Sequence, residues 1–308
     1  MSLTINTNSA AISAAYNLGK NNSHLQKSLA RLSSGSKITT PSDDAGGLAV
    51  SMKLNASINR TRAAVVNVQN ARSFAEVQDG GLQAAARIVD RMAELKSLSG
   101  DVLKSATDKA NYDTEFQALR VQLWDVGQEQ FNGVNLFSST ANFTAADGPA
   151  KVENVDFVQV ITSERGLAGA VVSLNKSLLV SAVTVDSLST PTKAIVHTNA
   201  SSLAFDDSSG AAQTATLGAI SLGTFTMALE NIATLRAENG ATVSRLNMAE
   251  DHLRLTQANL QAANSRIVDV DIAEETTRLA KYNILVQASA SMLAQANLAP
   301  NSALMLLS

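Results

Sequence analysis

Residues 246–270 read LNMAEDHLRLTQANLQAANSRIVDV, and the spacing of their apolar side chains decides the fold. Leu246, Leu253, Leu260 and Ile267 fall at steps of seven, and Ala249, Thr256, Ala263 and Val270 follow each of them by three. That is a heptad seam, the period at which one face of a helix meets a partner helix. A second register, Ile272, Leu279, Val286 and Leu293, begins five residues after Ile267. The stripe therefore rotates around the helix at that point, which marks a joint.

The N-terminal half answers with the same period. Leu18, Leu25 and Leu32 carry it first; Val68, Ala75, Leu82 and Val89 carry it again, with Ala64, Ala71, Ala85 and Met92 on or near that face. Helix nucleation is costly and propensity weak, so a helix with only a narrow apolar stripe does not hold alone in water. Each segment needs a partner, and the two ends of the chain are expected to pair.

Composition narrows the choice of function. Aromatic residues make up 4% of the 308 positions, and the hydrophobic 45% leans toward Ala, Leu and Val, which suits thin helix-helix seams better than one bulky core. A formal net charge of -3, with no Lys/Arg run longer than two, gives no footprint for nucleic acid. No run of eighteen apolar residues occurs, and Met1 to Ala15 lacks the pattern of a secretory leader, so neither a membrane span nor a cleaved signal is expected. The absence of cysteine excludes disulfides and thiolate chemistry and favours a setting outside the cell.

Along the chain, Thr4 to Leu32 reads as a helix that Gly35 stops. Pro41-Ser42-Asp43-Asp44 reads as a helix start capped by Ser42, with helix running from Asp43 to about Ser99. Gly100-Asp101 breaks it, and Tyr112 to Glu129 resumes through Phe116, Leu119, Leu123 and Val126. Asn132-Gly133 predicts a tight turn between extended segments. Residues 138–222 are rich in Ser, Thr, Ala and Gly, with β-branched runs at Val155 to Thr162, Val180 to Val185 and Ala194 to His197, and read as a small β-containing insert. Helix returns from about Phe225 and is expected to run to about Asn297, where Pro300 stops it; beyond Gly240 it would span roughly 85 Å.

No catalytic constellation emerges. The carboxylates Asp269, Asp271, Glu274 and Glu275 have Arg266 and Arg278 at helical spacing, which predicts ion pairs rather than a metal site. His24, His197 and His252 lie far apart, and Gly166-Leu167-Ala168-Gly169 lacks the third glycine and flanking βαβ unit of a phosphate cradle. Triplets such as Asn142-Phe143-Thr144 and Asn175-Lys176-Ser177 carry the glycosylation pattern, which chance also produces. The reading is therefore of a protein that is not an enzyme and has no cofactor.

Several blocks of the chain resemble bacterial flagellin. They are Ile5-Asn6-Thr7-Asn8, Leu25 to Gly35 (LQKSLARLSSG), Ser42 to Ala49 (SDDAGGLA) and Gln130-Phe131-Asn132-Gly133; then Ser265 to Glu275 (SRIVDVDIAEE), Ile284 to Ala288 (ILVQA) and Met292 to Asn297 (MLAQAN). The resemblance covers roughly residues 2–137 and 225–308. The chain departs from it in ending Leu306-Leu307-Ser308 without a terminal basic residue, and in an insert too short for two large outer domains.

The resemblance implies a mainly α fold: long antiparallel coiled-coil helices from both ends with a small β-containing insert in the middle. It divides the chain into a terminal coiled-coil domain (1–43 plus 265–308), a helical tube domain (44–137 plus 223–264) and a variable surface insert (138–222). It implies a structural subunit of the flagellar filament, secreted through the flagellum's own channel, with terminal segments disordered until they assemble. The alternatives are a hook-filament junction protein and a soluble coiled-coil adaptor. Subunit-interface candidates are Ile5, Ile12, Leu18, Leu25, Leu32, Ile272, Leu279, Val286, Leu293, Leu304 and Leu307, since apolar residues persist toward both termini where chains normally turn polar. Expected partners are further copies of the chain, an export chaperone, a filament cap and hook-associated proteins. Arg91, Glu94 and Leu95 align with the segment that vertebrate Toll-like receptors detect, although Asp90 stands where Gln is typical.

Overall fold

The structure, a computed structural model, describes residues 7–138, 157–185, 201–203 and 215–305. Its elements in chain order are α1 (Ser9–Ser34), α2 (Ala45–Ser99), α3 (Ala106–Gly127), β1 (Gln130–Phe131), β2 (Val134–Asn135), β3 (Phe157–Ile161), β4 (Val171–Asn175), α4 (Leu179–Ala182), β5 (Thr184–Val185), β6 (Ser201–Ser202), α5 (Leu222–Val268) and α6 (Ile272–Met305). They form two compact units, Met1–Asn59 with Gln257–Ser308, and Arg60–Thr256. The expected mainly helical architecture with a small strand-bearing middle is what the chain adopts.

In the first unit α1 and α6 pair antiparallel. Asn8 meets Ala296, Asn21 Nδ2 donates to Ser289 Oγ at 2.9 Å, His24 stacks on Tyr282 with ring centroids 5.0 Å apart, and Arg31 faces Glu275. The helix begins at an Asn8 cap, whose Oδ1 accepts from the Ala11 N–H, and ends at Gly35 with φ 68°, the left-handed conformation that glycine adopts without a Cβ clash. Little is buried in this seam. The only buried side chain of α1 is Ser28, while Leu18, Leu25 and Leu32 are half-buried.

The break after Ile267 lies where the phase of the apolar stripe shifts. Helix stops at Val268 and restarts at Ile272, with the Asp271 carboxylate accepting from the N–H groups of Ala273 at 2.9 Å and Glu274 at 3.1 Å. This joint pairs with the one after α1. Lys37 N–H donates to Val268 O at 2.6 Å and Val270 N–H to Gly35 O at 3.1 Å, an antiparallel bridge between Ser36 and Asp269. The single long rod expected beyond Gly240 is therefore two helices, and α6 continues through Pro300 instead of stopping there.

Two other boundaries also move. Asp44, not Ser42, caps α2: its Oδ1 accepts the Gly47 N–H at 2.8 Å. Asp43 is instead tied to Lys27 at 2.6 Å and to Thr39. The third helix starts at Ala106 rather than Tyr112, because Ser105 and Asp108 form a reciprocal capping box that the apolar spacing alone does not reveal.

The second unit holds the true core. Val68, Ala75, Leu82 and Val89 are wholly buried, as are Ala85, Met92 and Leu95, so the heptad face of α2 is buried along this stretch. Antiparallel α5 answers with Leu246 and Leu253. Polar side chains fix the register: Asn239 Nδ2 donates to Ala75 O at 2.7 Å, Arg236 grips Asp79 through two bonds at 2.9 and 3.0 Å, and Glu250 accepts from Gln69 at 2.9 Å. Phe116 of α3 meets Phe225 of α5 edge to face, with centroids 6.2 Å apart.

The described strands of the middle segment pack on these helices. A two-stranded hairpin is marginal alone, and the antiparallel β3–β4 pair (Phe157↔Asn175 to Ile161↔Val171) turns Val160, Val172 and Leu174 into the helical core. Gln78 of α2 bonds Leu136 O and Asn175 O, and Asn231 of α5 bonds Ala182 O. The run from Val180 is a helical turn before it becomes β5, because its first residues belong to α4. Asn132 (φ 50°) and Gly133 (φ 77°) make the expected tight hairpin turn between β1 and β2. Val155, Ala194 to His197 and Asn142-Phe143-Thr144 lie outside the described residues.

Candidate assembly surface

An α1/α6 pair with almost no buried apolar side chain leaves a large apolar surface over. Leu18, Leu25, Leu32, Leu279, Val286 and Leu293 are half-buried, as residues along the seam of a two-helix pair should be. Ile12 and Ile272 stand in solvent, at 65% and 67% exposure. Ile5 and Leu307 lie outside the described residues, as does the side chain of Leu304.

The structure adds a set that the heptad count passed over. Tyr16, Leu29, Ile284, Met292 and Leu298 are all at least half exposed on the same two helices. Their signal in the sequence is a second run of apolar residues between the heptad positions, which makes the stripe wider than one partner helix can cover.

The charged groups here serve structure. Lys27, then Thr39 and Thr40, hold the Asp43 carboxyl far below the usual carboxylate range. Glu275, buried, faces Arg31 at 3.9 Å and Arg278 at 3.5 Å, while Glu274 also pairs with Arg278. Asp269 accepts from the Ser265 hydroxyl rather than from the expected Arg266. With Asp271 acting as a cap, all four carboxylates of this cluster are engaged, and no group of three or more metal-ligating side chains occurs among the described residues. The Gly166–Ala168 turn joins β3 to β4, with no helix behind it to cradle a phosphate. No helix among the described residues is long and apolar enough to cross a membrane.

In the second unit, Arg91 bonds Glu115 at 2.8 Å and Glu94 at 2.7 Å, and these two carboxylates, Glu115 foremost, raise the guanidinium pKa further. Arg91 and Glu94 are accessible; Leu95 is wholly buried beneath them. Arg120 is buried against the Phe116 ring and donates to Leu203 O and Ala215 O, and burial lowers its pKa.

Two terminal helical regions are also what comparison with known proteins finds. Residues 5–142 match the bacterial flagellin N-terminal helical region, and residues 222–307 match the C-terminal helical region. The flagellar filament 33 kDa core protein of Treponema phagedenis is 33% identical over 306 residues, covering 99% of this chain and 100% of that one. A flagellin of Bacillus subtilis is 33% identical over 318 residues, with 99% and 100% covered. Matching terminal regions, end-to-end relatives and paired end helices with an uncovered apolar face together show that the chain belongs to the bacterial flagellin family.

Proposed function

We propose that this chain serves as the structural subunit of a bacterial flagellar filament, and that its α1/α6 pair orders fully only when copies of the chain cover it. The carrying observation is the exposed apolar set on those helices, Ile12, Tyr16, Leu29, Ile272, Ile284, Met292 and Leu298, beside a seam that buries almost nothing. Such surface is unfavourable in water and is removed by a heterologous contact repeated without closure. Half-buried Leu18, Leu25, Leu32, Leu279, Val286 and Leu293 hold the pair together, and Ile5, Leu304 and Leu307 are further candidates for subunit contacts from the sequence.

The expected outcome is a gain of helix by circular dichroism on polymerisation. Ile284→Asp together with Met292→Asp is expected to abolish filaments while leaving the second unit folded. No helix gain and unimpaired filaments from the double variant would overturn the reading. A hook-filament junction protein would be a minor component of purified filaments, and a soluble adaptor would stop at a small oligomer. Copy number in sheared filaments separates all three.

The finer partners follow from this reading. The three-part division of the chain, release outside the cell, an export chaperone, a cap and hook-associated proteins all fit terminal helices kept apart until assembly. A receptor contact would rest on Arg91 and Glu94, with Leu95 supporting the helix from beneath. Arg91→Ala losing receptor activation in a reporter assay supports it, and no activation by the unaltered protein overturns it.

A further inference from the structure

Open-ended growth needs two different surfaces on one subunit, a projection and a recess that takes it. The unit Arg60–Thr256 carries one of each. The turn between α2 and α3 presents Val102 and Leu103 at 95% and 91% exposure, more than any other large apolar side chain among the described residues. Asp101 Oδ1 accepts the Leu103 N–H at 2.9 Å, so the turn is braced while both aliphatic side chains stand in solvent. Elsewhere on the same unit an apolar recess of about 290 Å³ opens beside α2, lined by Phe74, Phe131, Val158, Val160 and Leu174 with Asn70 and Gln159 and, among the described residues, by no charged side chain.

We propose that Val102 and Leu103 of one copy seat in this recess of a second copy. The inference rests on the assembly reading and names one contact within it. Projection and recess match in chemistry, aliphatic against apolar with neutral amides beside it. A recess at the small end of ligand-sized clefts (~300 Å³) admits a pair of side chains rather than a folded segment. Two side chains bury far less than the roughly 1,200 Å² of a stable pair, so the contact holds only where many subunits act together. Recess and projection lie about 45–50 Å apart along α2 at the helical rise, so copies that stack in the same direction repeat the contact as a row.

The cysteine-free chain makes a direct test possible. Leu103→Cys combined with Asn70→Cys, oxidised in assembled filaments, is expected to yield a ladder of covalent multimers; neither single variant can. Leu103→Asp is expected to raise the concentration needed for assembly on the order of tenfold or more. Electron cryomicroscopy of filaments of the unaltered chain reads the contact even if a variant fails to fold. It is expected to place Leu103 against Phe74 and Val158 of the next copy. Filaments that form with Leu103 in solvent or on another surface overturn this contact and leave the assembly reading standing. A chain that forms no filaments overturns both.

Discussion

The side-chain amide of Asn8 donates to the carbonyl oxygen of Ala296 at 2.7 Å, and Ala296 is the residue that Pro300 deprives of its helical partner. Proline has no N–H, so the bond from residue 300 back to residue 296 cannot form. Asn8 supplies the missing donor while its Oδ1 caps α1 by accepting from the Ala11 N–H at 3.1 Å. One side chain thus caps α1 and supplies a donor to α6, which continues to Met305.

Separating these two roles is straightforward. Asn8→Asp keeps a capping oxygen but loses the donor, so α1 should stay protected while amides beyond Ala296 exchange faster in assembled filaments. Asn8→Ala loses both, at about 1 kcal/mol for the cap and a further ~0.5–1.5 kcal/mol for the bond. Hydrogen exchange read by mass spectrometry distinguishes them; equal protection beyond Ala296 in all three proteins would remove the mending role.

Neighbouring glycines of α2 should respond with opposite signs. Gly80 has open space around it, so Gly80→Ala is expected to stabilise by ~0.5–1 kcal/mol through helix propensity. A Cβ on Gly81 would lie 2.8 Å from Cζ of Phe137, a buried ring with little room to move. Gly81→Ala should therefore destabilise by about 1–3 kcal/mol despite the same propensity gain. Denaturant midpoints decide the signs.

Glu250 gives the second unit a pH dependence. Its bonds to Arg254 first and then Gln69 hold its carboxyl pKa below the ordinary value, against the opposing effect of burial. A carboxylate depressed in the folded state contributes stability above its unfolded pKa of about 4.3 and loses it as the pH falls through the folded value. Glu250→Gln should thus lower the melting temperature at neutral pH, with the gap to the parent shrinking below pH ~4. A gap constant with pH would show that the charge contributes nothing.

Leucines at equivalent heptad positions should differ in what they report. Leu82 is wholly buried, so Leu82→Ala is expected to cost about 2–5 kcal/mol in the isolated chain. Leu25 is only half-buried, and Leu25→Ala should cost much less there but markedly raise the concentration needed for assembly. Equal effects on the isolated chain would mean that α1 is already as well packed as α2.

These contrasts show what the sequence makes legible. A period of seven locates Val68, Ala75, Leu82 and Val89 because each repeat faces a partner in the same chain, and the five-residue step from Ile267 to Ile272 locates the joint because phase is a geometric property. Caps made by side chains are harder to read: Asp43, Asp44 and Ser42 are all competent, and only the tie from Lys27 to Asp43 leaves Asp44 to start α2. The exposed set, Tyr16, Leu29, Ile284, Met292 and Leu298, escaped the heptad count because its signal is the width of a stripe rather than its period. The continuation past Pro300 goes with a bond from Asn8, the cap of α1, to Ala296, 288 positions further along the chain, which no local pattern encodes.

That separation bears on the order of events in folding. Local helices can form as soon as their residues are available, but α1 and α6 cannot pair until both ends of the chain are present, whichever end leads. Closing a loop over nearly the whole polypeptide is slow and entropically costly. The terminal pair must therefore be the final piece to set, so the molecule carries an intrinsic delay between becoming foldable and becoming adhesive.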